Sequence, residues 1–166
     1  MNQLALSVFL LLASLFLAGC NQRPGVHIGD RPQRVELTDI RGKKVVLPDD
    51  FEGRVVLLRF WSVSCPSCCK AVLKAMEDLY TKYRDQGFTA ISISIDSTEE
   101  VKEALDKLDD VITYPVLVDP ESSSLAGYGV KVLPTTVIID RSGLVSEKII
   151  GETGIEMFES LLAQQL

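Results

Sequence analysis

The sequence predicts one α/β domain: a central sheet flanked by helices, with an N-terminal β-hairpin added to it. Three observations support this. Val55 to Trp61 is an apolar run without alternation, as expected of a strand covered on both faces. Phe88 to Ile95 alternates with a period of two, the mark of a second strand. Amphipathic helical patterns follow them, so the elements run strand-helix-strand, helix, then strand-strand-helix. A chain of 166 residues has room for one such core.

Taken in order, the chain opens with an apolar stretch from Leu4 to Ala18, interrupted only by Ser7 and Ser14. That is shorter than the roughly 20 residues of a bilayer span and suits the core of a signal peptide. It ends in Leu17-Ala18-Gly19-Cys20, which resembles the lipobox of bacterial lipoproteins. The resemblance implies cleavage before Cys20 and a diacylglyceryl group on its sulfur. Residues 1–19 are therefore read as a lipoprotein signal peptide, 20–27 as the lipidated cysteine and a polar tether, and 28–166 as the folded domain. On this reading the protein is exported and held at a membrane, facing the periplasm or the cell exterior.

Val35 to Leu37 and Lys44 to Leu47, around Asp39 to Lys43, predict the hairpin, and Asp49 to Gly53 a turn into the Val55 to Trp61 strand. Val72, Leu73, Met76, Leu79, Tyr80 and Tyr83 recur at helical spacing and predict a helix ending near Gly87. Ser97-Thr98-Glu99-Glu100 has the form of a capping box opening the next helix. Tyr114 to Val118 is extended and Ser122 to Tyr128 a short helix. A strand up to Asp140 and the run Leu144 to Ile150 flank an Arg141-Ser142-Gly143 turn as a hairpin, and Ile155 to Leu166 is a last amphipathic helix.

The chemistry gathers where the first central strand hands over to its helix. Cys65 and Cys68 stand there at Cys-x-x-Cys spacing, followed at once by Cys69. A helix start favours a thiolate through its unpaired N–H groups and positive dipole end. Four bunched cysteines do not make a disulfide scaffold, so the spacing points to redox chemistry or a metal. A net charge of -6 with scattered Lys and Arg gives no footprint for nucleic acid. Asp106, Asp109 and Asp110 with Glu99, Glu100 and Glu103 read as a solvated helix face rather than a metal cluster. Tyr128 and Phe158 read as core.

Gly29-x-x-Pro32, Phe60-Trp61, Cys65-Pro66-Ser67-Cys68 and Val132-Leu133-Pro134-Thr135-Thr136, in this element order, resemble the thioredoxin-fold proteins of the membrane-associated TlpA/ResA type. The resemblance implies a thioredoxin fold with a mixed central sheet, and thiol-disulfide exchange as the activity. Cys65 would attack as the thiolate and Cys68 would resolve the mixed disulfide. Pro134 would be a cis proline facing the dithiol, with Leu133 offering backbone groups to an extended substrate. Trp61, Pro66 and Ser67 would complete the substrate-facing surface, and Pro66 and Ser67 would help to set the potential. No cofactor beyond a Cys65–Cys68 redox disulfide is expected, because the chain has no nicotinamide or flavin fingerprint. Electrons would come from a membrane donor of the DsbD/CcdA type, and the substrates would be disulfides of exported proteins, such as apocytochrome c or copper-site cysteines.

Three residues depart from the usual surroundings. Arg59 occupies the position two before Trp61 where an Asp or Asn is common. Either it tunes a cysteine, or its stem snorkels past the strand so that its head pairs with a surface carboxylate, which is the favoured reading. Ser64 replaces a second Trp. Cys69 points about 100° from Cys68 on a helix and reads as a small core residue or a second tuning group. Two alternatives use the same residues: a Sco-like copper carrier with Cys65, Cys69 and His27 as ligands, and a peroxiredoxin-like peroxidase with Ser62 three residues before the reactive Cys65.

Overall fold

In the computed structural model, residues 25–65, 70–108 and 111–166 are described. The predicted hairpin forms as β1 (Val35–Asp39) and β2 (Lys44–Leu47), antiparallel, and a 3-10 turn over Asp49–Phe51 leads into β3 (Val55–Trp61). Every residue of β3 is buried, as expected of a strand apolar at every position except Arg59. Helix α1 (Lys70–Tyr83) and a further 3-10 turn follow, and Gly87 closes them at φ 85°, a left-handed conformation in which a side chain would be strained. Strand β4 (Phe88–Ser94) is buried on both faces although its sequence alternates, because helices cover one side while Ile91 and Ile93 on the other belong to the cluster that holds Leu125 and Tyr128.

The capping box is present at α2 (Thr98–Leu105): Ser97 Oγ accepts the Glu100 N–H, and the Glu100 side chain accepts the Ser97 N–H. Short β5 (Val116–Val118), α3 (Ser123–Gly127), the hairpin of β6 (Thr135–Ile139) and β7 (Val145–Ile150), and α4 (Ile155–Leu162) complete the chain. Helix α4 stops short of the predicted Leu166, which nonetheless packs against the core.

The strands form one mixed sheet in the order β2-β1-β5-β4-β3-β6-β7. Pairs β3/β4 and β4/β5 are parallel; the others are antiparallel. On one face Leu73, Met76 and Leu79 of α1, Val101 of α2, and Phe158 and Leu162 of α4 pack against Val55, Leu57 and Trp61. On the other, Val26, Tyr128 and Val130 cover Val56, Leu58 and Phe60. Tyr128 and Phe158 are core residues, as expected. Asp106, Glu99, Glu100 and Glu103 lie exposed along α2 and its end, while Asp109 and Asp110 lie outside the described residues. No helix among the described residues is long and apolar enough to cross a membrane.

Candidate active site

Beyond Trp61 the chain turns over the end of the sheet. The Cys65 N–H donates to Ser62 O at 3.2 Å, so residues 62–65 form a closed turn that presents Cys65. Cys65 is half-buried against the α1 face of the core and is disulfide-bonded. Cys20, Pro66, Ser67, Cys68 and Cys69 lie outside the described residues, as do the signal peptide and lipobox.

A residue that sequence reasoning missed organises this turn. The Asp96 carboxylate accepts the Val63 N–H at 2.6 Å, the Ser62 hydroxyl at 3.0 Å and the Ser94 hydroxyl at 2.7 Å. Ser62 Oγ in turn accepts the Ser64 N–H and lies 2.9 Å from Ser64 Oγ. The hydroxyl that a peroxidase reading would call on is thus engaged in this clamp. Ser64 and Val63 are exposed beside Cys65. The available sequence signal was an Asp emerging directly from a central strand, between Ile95 and the capping box that opens at Ser97.

Pro134 comes to the same end of the sheet. Thr135 is paired with Phe60, which sets Pro134 next to Trp61. The Leu133–Pro134 bond is cis, as the resemblance implied; Leu47–Pro48 is also cis and was not anticipated. Pro134 O accepts the Gly151 N–H at 2.8 Å, and Val132 O accepts the Thr135 hydroxyl at 2.6 Å. Trp61 and Pro134 are buried, Leu133 is half-buried, and Val132 is exposed. Trp61 and Pro134 thus stand at the sheet end from which the chain runs on to Cys65; Cys65 packs on the Trp61 face and Leu133 on the other.

Arg59 requires a correction. Its side chain does not snorkel to the surface: it is 0% exposed. It does pair with a carboxylate, Glu152, at 2.7 Å, and Nη1 donates to Thr136 Oγ1 at 3.0 Å. The physical reason is the strand's position. β3 lies between β4 and β6 with helices over this face, so the stem has no short path to water. Burial pushes the Arg59 pKa below its ordinary value, while the Glu152 charge opposes the change.

His27 is not brought to Cys65. It lies two residues from Gly29, whose N–H donates to Val145 O. Val145 pairs with Ile139, at the sheet end opposite the one from which the chain runs to Cys65.

A disulfide-bonded cysteine just beyond a central strand, with a cis X-Pro bond leading into the neighbouring strand at the same sheet end, defines a thioredoxin-like redox protein. The model of the AhpC/TSA family matches residues 28–148. A thiol-disulfide oxidoreductase ResA of Bacillus cereus is 37% identical over 138 residues, covering 82% of this chain and 78% of the relative. One from another Bacillus cereus strain is 32% identical over 169 residues, covering 97% and 95%. Among solved structures, the thiol:disulfide interchange protein DsbE of Chlorobium tepidum matches with TM-score 0.78 and 28% identity, over 85% of this chain and 99% of that one. The exposed lipoprotein thioredoxin of Streptococcus pneumoniae matches with TM-score 0.68 and 27% identity, over 80% and 99%. The chain belongs to the AhpC/TSA family and, within it, to the ResA-type thiol-disulfide oxidoreductases.

Proposed function

We propose that this oxidoreductase works outside the cytoplasm and reduces disulfides in exported proteins, with Cys65 as the attacking thiol and Cys68 as the resolving one. The Cys65 thiolate attacks one sulfur of the substrate disulfide; a mixed disulfide forms and the first substrate thiolate leaves. The Cys68 thiolate then attacks Cys65 Sγ, which closes a Cys65–Cys68 disulfide and releases the second substrate thiolate. Two electrons pass to the substrate, whose thiolates take up protons from water. A membrane dithiol donor of the DsbD/CcdA type reverses these steps and restores the dithiol.

The observation that carries this reading is the disulfide-bonded Cys65 on a closed turn at the sheet end where the cis Leu133–Pro134 bond leads into its strand. Leu133 is half-buried with exposed Val132 before it, which suits an extended polypeptide docking by its backbone. Export and a lipid on Cys20 are supported by Leu17-Ala18-Gly19-Cys20 and by the likeness to an exposed lipoprotein thioredoxin. Apocytochrome c or copper-site cysteines are the substrates we favour.

The test is the reduction potential of the Cys65–Cys68 pair against glutathione and thioredoxin standards. A value near or below about -270 mV is expected, and one near about -120 mV would point to an oxidant instead. Cys65→Ser should abolish reduction of a protein disulfide, whereas Cys68→Ser should trap the mixed disulfide. Full activity in Cys65→Ser would end the proposal.

A further inference from the structure

We propose that Arg59 and Glu152 form a charge couple between the sheet and helix α1 that sets the reduction potential of the cysteine pair, a role resting on the Cys65–Cys68 reading above. The two are positioning residues: they act through the field they place at the sulfurs.

The placement follows from register. Leu57 and Trp61, the neighbours of Arg59 two residues away on β3, share its face of the sheet. Both belong to the cluster that holds Leu73 and Met76 of α1, and Cys65 packs against that cluster. Across the sheet Arg59 is paired with Ser92 on β4 and Thr136 on β6, so a polar row crosses an otherwise apolar layer. On the β4 side of that row, the Tyr114 hydroxyl interacts with the Arg59 charge and donates to Leu73 O, in the first turn of α1, at 3.3 Å. The guanidinium thus lies between the sheet and the helix start that follows the cysteines.

A fully buried guanidinium is costly, and an apolar side chain would satisfy this layer without that cost. What compensates it is Glu152, whose side chain is 33% exposed. Glu152 follows Gly151, the residue whose N–H holds Pro134 O. The couple therefore joins the layer under the dithiol to the segment bracing the docking loop. Oxidised sulfurs are neutral, whereas reduction creates a thiolate. A cation in the layer favours the reduced form and raises the potential; a carboxylate favours the disulfide and lowers it. With both present the two effects oppose each other.

The test is the equilibrium of the full domain with glutathione at pH 8.5, where an ordinary thiol is about half ionised. Glu152→Gln keeps an oxygen that can accept from Arg59 but removes the charge. It should shift the equilibrium toward the dithiol by about tenfold, equivalent to about 30 mV more oxidising for this two-electron couple. Arg59→Gln should shift it about tenfold the other way, and Arg59→Lys should stay within twofold of the parent. A purely structural role would not give opposite signs. If Arg59 variants do not fold, Glu152→Gln alone decides: a change below twofold, or one toward the disulfide, overturns the couple. Mapping the titrating disulfide by mass spectrometry keeps this distinct from the parent reading, since a pair other than Cys65 and Cys68 would overturn both.

Discussion

Asp96 offers a sharp test of how the Cys65 turn is held. Asp96→Ala removes three acceptor contacts at once: Val63 N–H, Ser62 Oγ and Ser94 Oγ. The bond to Val63 is charge-assisted and short, in the class worth about 1.5 to 3 kcal/mol. Asp96 is half-exposed, so water can reach Val63 and part of that is recovered. The two hydroxyls can also turn to other acceptors. A net loss of about 1 to 2 kcal/mol follows, and with an m-value of about 2 kcal/mol/M the urea midpoint should fall by about 0.5 to 1 M. The same turn carries the Cys65 N–H, so the second-order rate of reduced Cys65 with a model disulfide should drop about three- to tenfold. Asp96→Asn, which keeps one good acceptor, should lie between. A midpoint within 0.2 M of the parent together with an unchanged rate would refute the clamp.

Two further outcomes test the frame around the site. Buried Asp119 accepts both N–H groups and both hydroxyls of Ser123 and Ser124, so Asp119→Ala should cost about 2 to 3 kcal/mol by urea unfolding while the potential of the dithiol stays put. Burial works to raise the Asp140 pKa, but the Ser142 hydroxyl and the N–H groups of Leu144, Ser142 and Gly143 outweigh it and hold the carboxyl below its ordinary value. Its contribution is complete above the unfolded carboxyl value of about 3.9 and is lost as pH falls through the lower folded value. Asp140→Asn should therefore be less stable than the parent at pH 7 in thermal melts, and the gap should narrow as the pH falls below the ordinary carboxyl range.

Element order was legible because each element announced itself by a local signal: the apolar run of β3, the period of β4, the capping box of α2, the Ser142-Gly143 turn of the last hairpin. Pro134 beside Trp61 was legible only through a motif whose two halves lie far apart in the chain. What local patterns could not show were partners across the sheet. Arg59 looks like a snorkelling residue when β3 is read alone. Its burial is decided by β4, β6 and α1 closing around it, and its partner Glu152 sits 93 residues away. Asp96 was overlooked for the same reason, since its partner Val63 is 33 residues distant and offers it only a backbone N–H.

Strand direction explains why these distant residues meet. β3 and β4 are parallel and in register from Val55 and Phe88 to Trp61 and Ser94, so their exits emerge side by side and Asp96 reaches the turn before Cys65. β6 is antiparallel to β3, so its entrance, Thr135 with Pro134 before it, lies at the same end. β7 reverses again and brings its exit, Ile150 opposite Thr135, with Gly151 and Glu152 just beyond. Four chain segments converge on one sheet end by this alternation alone. Because side chains alternate faces along a strand, a one-residue slip of β6 against β3 would turn Thr136 away from Arg59 and Pro134 away from Trp61 together. Burial on both sides of β3 and β6 resists such a slip. The apolar sheet thereby sets the positions from which the polar site is built.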